Sequence, residues 1–343
     1  MKQSYKHIPM PARYIINSVL IAAFLFLGNM IVSGGFINRA QSSVVLQVGI
    51  YMILAVSLNI VTGYLGQLPL GHAGFMAVGA YAGAIFWKSA AVASLPSGLT
   101  IVFGLIIAGI VAAIFGVAIG IPALRLRGDY LAIITLGFGE IIRVCIINLP
   151  KITGGTPGLM SIPKFSSFLV VFIAVVFTCV IIHMMMKSRH GRAILSIREN
   201  EIAAESCGIN ITYYKVLAFA VSAFFAGVAG ALYAGYSGLL TPKSFDFMAS
   251  INILVMVVLG GMGSMVGSLI AAAVLTSLPL ALQALNTYRM VIYSILLIAV
   301  MIFKPSGLMG TYDFSMSHLL EKLINSPQLR AQKKEKKAGG ANG

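Results

Sequence analysis

Charged side chains are scarce: they make up 10% of 343 residues, and Asp and Glu together number only 9. Soluble domains average about 25% charged residues. The chain lacks the polar side chains needed to cover a water-facing surface. That excludes a soluble enzyme, a disordered protein and a peripheral protein with one anchor. Alternating strands are missing too, because the apolar stretches run continuously, which excludes an outer-membrane barrel. Cysteines are few. Cys145, Cys179 and Cys207 show neither metal-ligand spacing nor a disulfide framework and read as packing residues. No G-x-x-x-x-G-K-[ST] stretch occurs, so the chain has no Walker A loop to cradle ATP phosphates. No Ser-His-Asp set, H-E-x-x-H motif or paired catalytic carboxylates appear either.

What is present is apolar: 59% hydrophobic residues and a mean hydropathy of +0.95. Only structures with closed backbone hydrogen bonding survive in hydrocarbon. The expected fold is therefore all-α, a polytopic transmembrane bundle. At about 20 residues per span, the chain holds about eight to ten spans. The apolar runs cover 15–32, 44–61, 74–87, 100–121, 130–149, 167–186, 216–238, 249–259, 263–282 and 290–303. Runs 74–87 and 249–259 are short and adjoin glycine-rich stretches, so each reads as a broken or re-entrant helix. Run 15–32 follows basic residues but no A-x-A site, and reads as an uncleaved first helix.

Charge orients the bundle. With the N-terminus in the cytoplasm, Arg39, Lys88, Lys151, Lys164, Lys243 and Arg289 lie outside. Arg143 lies within a span, and every other Lys and Arg lies inside, in accord with the positive-inside rule. The +15 net charge thus reflects orientation rather than nucleic-acid binding. Both termini are expected in the cytoplasm. Residues 1–310 read as one transmembrane domain and 311–343 as a basic, largely disordered cytoplasmic tail.

Three features could carry function. The first is cytoplasmic segment 192–208, within the long loop 187–215. Its apolar residues make no single stripe, so two short helical pieces fit better, with an acidic cluster of Glu199, Glu201 and Glu205. Gly208 can close the helix in a left-handed cap. Such a segment can seat in a partner's groove, or it can be a solvated loop helix. The second is glycine density around 63–83 and around Gly260, Gly261, Gly263 and Gly267. It serves either tight helix packing or an unwound helix lining a path. Segments 53–76 and 252–273 share a faint pattern, and broken helices at matching places in two halves mark transport sites. The third is a polar set within the spans. Glu140 and Arg143 share one helix face, as a functional pair or a structural ion pair. Asn59, Gln67 and His72 are weaker members. Turn-rich 153–158 could meet an extracytoplasmic protein or simply turn.

At this point a resemblance becomes specific. Glu201, Ala203, Ala204, Glu205 and Gly208 resemble the EAA-type loop of ABC importer permeases. Leu58-Asn59-Ile60-Val61-Thr62-Gly63-Tyr64-Leu65-Gly66-Gln67 and Gly71-His72-Ala73-Gly74-Phe75 resemble the branched-chain amino-acid permeases. So do Leu124-Arg125-Leu126-Arg127-Gly128-Asp129-Tyr130 and Thr135-Leu136-Gly137-Phe138-Gly139-Glu140-Ile141-Ile142-Arg143. Thr153-Gly154-Gly155-Thr156-Pro157-Gly158-Leu159 and Leu259-Gly260-Gly261-Met262-Gly263-Ser264 complete the match, whose pattern is that of the LivM-type subunit.

The resemblance implies a non-enzymatic permease subunit in the bacterial inner membrane. It would work by alternating access with a LivH-type permease, two ABC ATPase subunits, an extracytoplasmic binding protein and an amino-acid substrate, surrounded by membrane lipid. ATP and Mg would be bound by the ATPases, with no cofactor or metal on this chain. Arg198, Glu199, Glu201, Ala203, Ala204, Glu205 and Gly208 would couple to the ATPase. Asn59, Gln67, His72, Thr135, Glu140, Arg143, Gly260 and Gly261 would line the path or gate. The alternatives are a permease for urea, amides or other amino acids, and a secondary carrier coupled to ions through Glu140.

Overall fold

The computed structural model describes residues 10–34, 38–89, 96–123, 126, 128–282 and the single positions 294, 295, 298, 302 and 307. The expected span at 290–303 and the tail 311–343 lie outside the described residues, apart from those positions. The chain divides into two units, residues 1–36 with 313–343, and residues 37–312. In the first unit the described element is helix α1, Met10–Ser33. Everything below concerns the second.

Its described elements are all helical. Arg39–Asn59 (α2) begins where the Asn38 amide donates to Gln41 Oε1 at 3.0 Å, half of a capping box. It runs on as a π-helical segment, Ile60–Tyr64. The chain then turns at Gly66 and continues without helix until His72–Lys88 (α3). Ser97–Ala123 (α4) and Asp129–Asn148 (α5) follow, then the short Pro150–Thr153 (α6) and Phe168–Lys187 (α7). Two helices, Arg189–Glu199 (α8) and Glu201–Ser206 (α9), link α7 to Ile211–Ser237 (α10). Phe247–Gly260 (α11) and Met265–Ala281 (α12) close the described bundle.

Five stretches are long and apolar enough to cross a membrane: Arg39–Tyr64, Gly98–Ala123, Tyr130–Asn148, Phe168–Lys187 and Ile211–Ser237. Ser18–Val32, Phe247–Gly260 and Met265–Ala281 are shorter apolar helices. The chain is a multi-pass membrane protein, and its helices follow the hydropathy pattern closely. Among the described helices two start five residues before the expected run, α2 at Arg39 and α10 at Ile211. Loop 187–215 was expected to hold Lys215, yet α10 starts at Ile211 and Lys215 lies within it, buried.

The core forms around α10, which packs on α2, α3 and α4. Small residues permit this. A Cβ at Gly79 would collide with the Gly227 backbone, and one at Gly230 with the Met76 carbonyl. With no hydrophobic force between helices in lipid, such close backbone contact supplies the attraction. Ser222 adds a buried hydrogen bond, donating to the Ser57 carbonyl at 2.7 Å.

The described linkers segregate to two poles. At one, Arg198 meets Gly63 and Gly263. At the other, Leu159 and Leu240 exchange backbone hydrogen bonds, and Lys88 Nζ donates to the Met160 carbonyl at 2.9 Å. The length of α10, about 40 Å, separates them. This sorting agrees with the sides that the charge pattern assigns.

Candidate functional site

Both glycine-rich breaks end at the first pole, and they touch. The α2 helix ends in Asn59, whose side chain is buried. Asn59 Oδ1 accepts from the Gly263 amide at 2.9 Å, and its Nδ2 donates to the Ser264 carbonyl at 3.1 Å. The α11–α12 turn can reach it because Gly261 and Gly263 take φ of 108° and 88°, which side chains other than glycine's resist. Gly260 lies directly against Gly267. One amide side chain therefore ties the end of α2 to the turn between α11 and α12, two segments 204 positions apart. The repeated pattern expected from 53–76 and 252–273 is a pair of helix–break–helix units joined at their breaks.

The π-helical segment frees a carbonyl here. Arg198 Nη1, from the end of α8, donates to Gly63 O at 2.9 Å. The same guanidinium binds Glu199 Oε1 through Nη2 at 2.7 Å. Its aliphatic stem covers Gly66, and Nη1 faces Gly263. Thus Arg198 sits over both breaks at once. The Gln67 backbone N–H donates to the Val61 carbonyl, while Thr62 Oγ1 and Gln67 Oε1 are buried without hydrogen-bond partners. π-segments of this kind concentrate at functional sites.

The linking helices carry the clamp. Ile194 and Ile197 bury α8 against the bundle. Asn200 caps α9 by accepting from the Ala203 amide at 3.0 Å. At the far end Gly208 donates to the Glu205 carbonyl and Ile209 to the Ala204 carbonyl, with Gly208 at φ 81°. That is the left-handed cap expected from the sequence, in its Schellman form. The α9 helix divides the expected coupling set. Ala204 is buried, whereas Ala203, Glu205 and Gly208 face outward beside Ile202, which is 70% exposed. Glu201 turns inward and accepts from Lys215 Nζ at 2.8 Å.

Lys215 is one residue that sequence reading missed. Its side chain is only 4% exposed. The signal was there, a lysine at the head of an apolar run, but placing the loop end at 215 hid it. Glu201 is 28% exposed, so losing this pair costs less than the roughly 3–5 kcal/mol of a fully buried one, but a second cation there would leave the buried Lys215 ammonium facing a like charge. Glu201→Lys should therefore detach α9 from α10 and lower transport at least tenfold. The swap Glu201→Lys with Lys215→Glu should recover much of the loss. Uptake in whole cells expressing each variant checks this. A swap no better than the single variant would mean that Glu201 acts outward, not on Lys215.

The remaining expected residues gather elsewhere, around the start of α3. Buried His72 Nε2 lies 3.0 Å from Ser57 Oγ. Thr135 Oγ1 accepts from the Leu70 amide at 3.0 Å and donates to the Leu131 carbonyl. Ser250 Oγ, on α11, accepts from the Ala73 amide at 3.1 Å. Glu140 and Arg143 bind each other at 2.7 Å on α5. Between these elements is a narrow cleft of about 10 Å³, lined by Leu70, Gly74, Leu136, Glu140, Asp246 and Ser250. The structure thus sorts the path set into two clusters. Asn59, Gly260 and Gly261 join the clamp, and Gln67 lies in the adjoining break. His72, Thr135, Glu140 and Arg143 surround the α3 start. Ser57, Ser250 and Asp246 are further members that the sequence did not single out, whereas Gly63 and Gly263 belong to the two glycine-rich stretches it did mark.

Residues 41–301 match the family described as branched-chain amino acid transport system / permease component. The chain is 37% identical over 315 residues to the high-affinity branched-chain amino acid transport system permease protein LivM of Salmonella typhimurium, covering 80% of this chain and 71% of the relative. It is 38% identical to LivM of Escherichia coli K12 over the same shares. With LivH of Salmonella typhimurium it shares 27% identity, over 76% of this chain and 91% of that one.

Proposed function

We propose that this chain, which belongs to the branched-chain amino acid transport permease family, is the LivM-type half of an ABC importer for branched-chain amino acids. Its partners are a LivH-type permease, two ATPase subunits and an extracytoplasmic binding protein. ATP and Mg stay on the ATPases, and this chain contributes no ATPase site. The assembly lies in the bacterial inner membrane, with α8 and α9 on the cytoplasmic side and both termini there too.

The observation that carries this reading is the Arg198 clamp. The short helix α9, with its exposed apolar tip Ile202, follows directly on α8, whose Arg198 guanidinium binds a break that is itself tied to a second one. When the ATPases close, they push on Ile202, Ala203 and Glu205. The push reaches Gly63 and Gly263 through Arg198, and the two helix–break–helix units shift against each other. The binding protein meets the opposite pole near 153–158 and supplies most of the affinity. Purification in mild detergent from the native host, with mass spectrometry of bound chains, tests the assembly. Recovery of two ATPases and a second permease is expected. A chain that emerges alone would count for an ion-coupled carrier instead.

Gly208 gives a finer test. Nothing lies within 4 Å of a Cβ built there, so size is not the obstacle, but φ of 81° is. A left-handed residue other than glycine costs about 1–2 kcal/mol, and a β-branched one fares worst. Gly208→Val should uncouple ATP hydrolysis from uptake with membrane insertion intact. Gly208→Asn should lose little, since Asn tolerates this conformation. Paired ATPase and uptake assays in proteoliposomes distinguish them. Equal behaviour of both variants would show that the cap does not position α9.

A further inference from the structure

The outward faces of three spanning helices differ in chemistry. In the central turns of α4, Phe103, Ile106, Ile110 and Ile114 are exposed, and on α7 Ile173, Phe177 and Val180 are. In these central turns the two faces are apolar and suit lipid. The α5 face also exposes Ile133, Ile141 and Val144. Among them stand Glu140 and Arg143, whose side chains remain 37% and 29% exposed even while paired. Glu140 sits about 12 Å from the Asn148 end and about 16 Å from Asp129. Arg143 lies one turn nearer the Asn148 end, about 8 Å from it. A charged pair left part-exposed on an otherwise apolar outward face is unfavourable against hydrocarbon. Gly137, on the same face, has open space where a Cβ would go. A small residue there lets another helix approach closely.

We propose that the α5 face bearing Gly137, Glu140, Ile141 and Val144 is the seam with the second permease. The Glu140–Arg143 pair then meets polar groups of that chain at the same depth, beside the cleft that Glu140 also lines. The α4 and α7 faces are left to lipid. This rests on the two-permease reading above, and it adds which face of this chain meets the partner.

Photo-crosslinking in the intact complex tests it. The photoreactive residue p-benzoylphenylalanine is placed singly at Ile141, at Ile110 and at Phe177. All three side chains are exposed, so each substitution leaves the core unchanged. The cells are irradiated, and adducts are identified by mass spectrometry alongside the recovered subunits. Ile141 should give an adduct with the second permease at least tenfold above the other two sites. Adducts to that permease from Ile110 or Phe177 with none from Ile141 would overturn the assignment. Lipid-only adducts at Ile141 would do so too, and so would adducts there to another copy of this chain. Recovery of ATPase subunits in the same sample separates the two failures. ATPases present with a lipid-only Ile141 refute the seam and leave the importer standing, whereas no ATPase and no second permease refute both.

Discussion

Arg198→Ala should cut amino-acid uptake roughly 10- to 100-fold while the chain still reaches the membrane and still binds its ATPases. The reasoning starts from one carbonyl. Gly63 O lies in a π-helical segment and accepts from Arg198 Nη1 at 2.9 Å. A hydrogen bond to a charged group contributes about 1.5–3 kcal/mol net. If that bond is the link through which α8 and α9 move the breaks, its loss appears in the transport rate at nearly full value. It should hardly appear in folding, because Ile194 and Ile197 still anchor α8. Arg198→Lys should restore little. A single ammonium cannot serve Gly63 O and Glu199 Oε1 with the planar fork that holds both. ATP hydrolysis is expected to persist, so the ratio of ATP spent to substrate moved rises. Uptake of labelled leucine and phosphate release, measured on the same proteoliposomes, give that ratio. Wild-type uptake by the alanine variant would remove Arg198 from the transmission route.

Much of this was legible before any fold was known. Long apolar runs set the spans, since hydropathy alone decides whether a segment can enter hydrocarbon. The short runs 74–87 and 249–259 announced the broken helices, and Gly208 announced the cap. The clamp was not legible. Arg198 and Gly63 are 135 positions apart, and Asn59 and Gly263 are 204 apart. Helix packing sets such contacts, and one-dimensional periodicity carries no trace of them. The inward turn of Glu201 was hidden for a different reason. The six-residue α9 helix is too short to display a face. A carboxylate aimed at Lys215 therefore reads the same as one aimed at solvent. The π-helical segment had only Gly63 to mark it, and one glycine among many in that stretch does not say which carbonyl is free.

Gly63→Ala should bring the largest change in stability of any single methyl addition at this pole. A Cβ there would fall on Asn59 Oδ1 and on the backbone nitrogen of Gly263. Those two atoms form the hydrogen bond that joins the breaks. The methyl must therefore force the backbones apart, at about 1–3 kcal/mol for overpacking. It must also separate a buried donor from its acceptor, at about 1–3 kcal/mol more for a group left unsatisfied. Together these predict a melting temperature lower on the order of 10 °C, read by size exclusion of heated, detergent-solubilised protein. Gly98→Ala is the matched control. It adds the same methyl in α4 where no atom lies within 4 Å, and helix propensity favours the change by up to about 1 kcal/mol. Its melting curve should stay level or rise. Equal curves for the two variants would mean that the breaks are loosely packed and free to part. Arg198 would then have no rigid element to move. A sharp loss confined to Gly63→Ala means that the two units move as packed bodies about a tight joint. In that case a small displacement at α9 can change which side of the bundle is open, because the joint cannot absorb it by deforming.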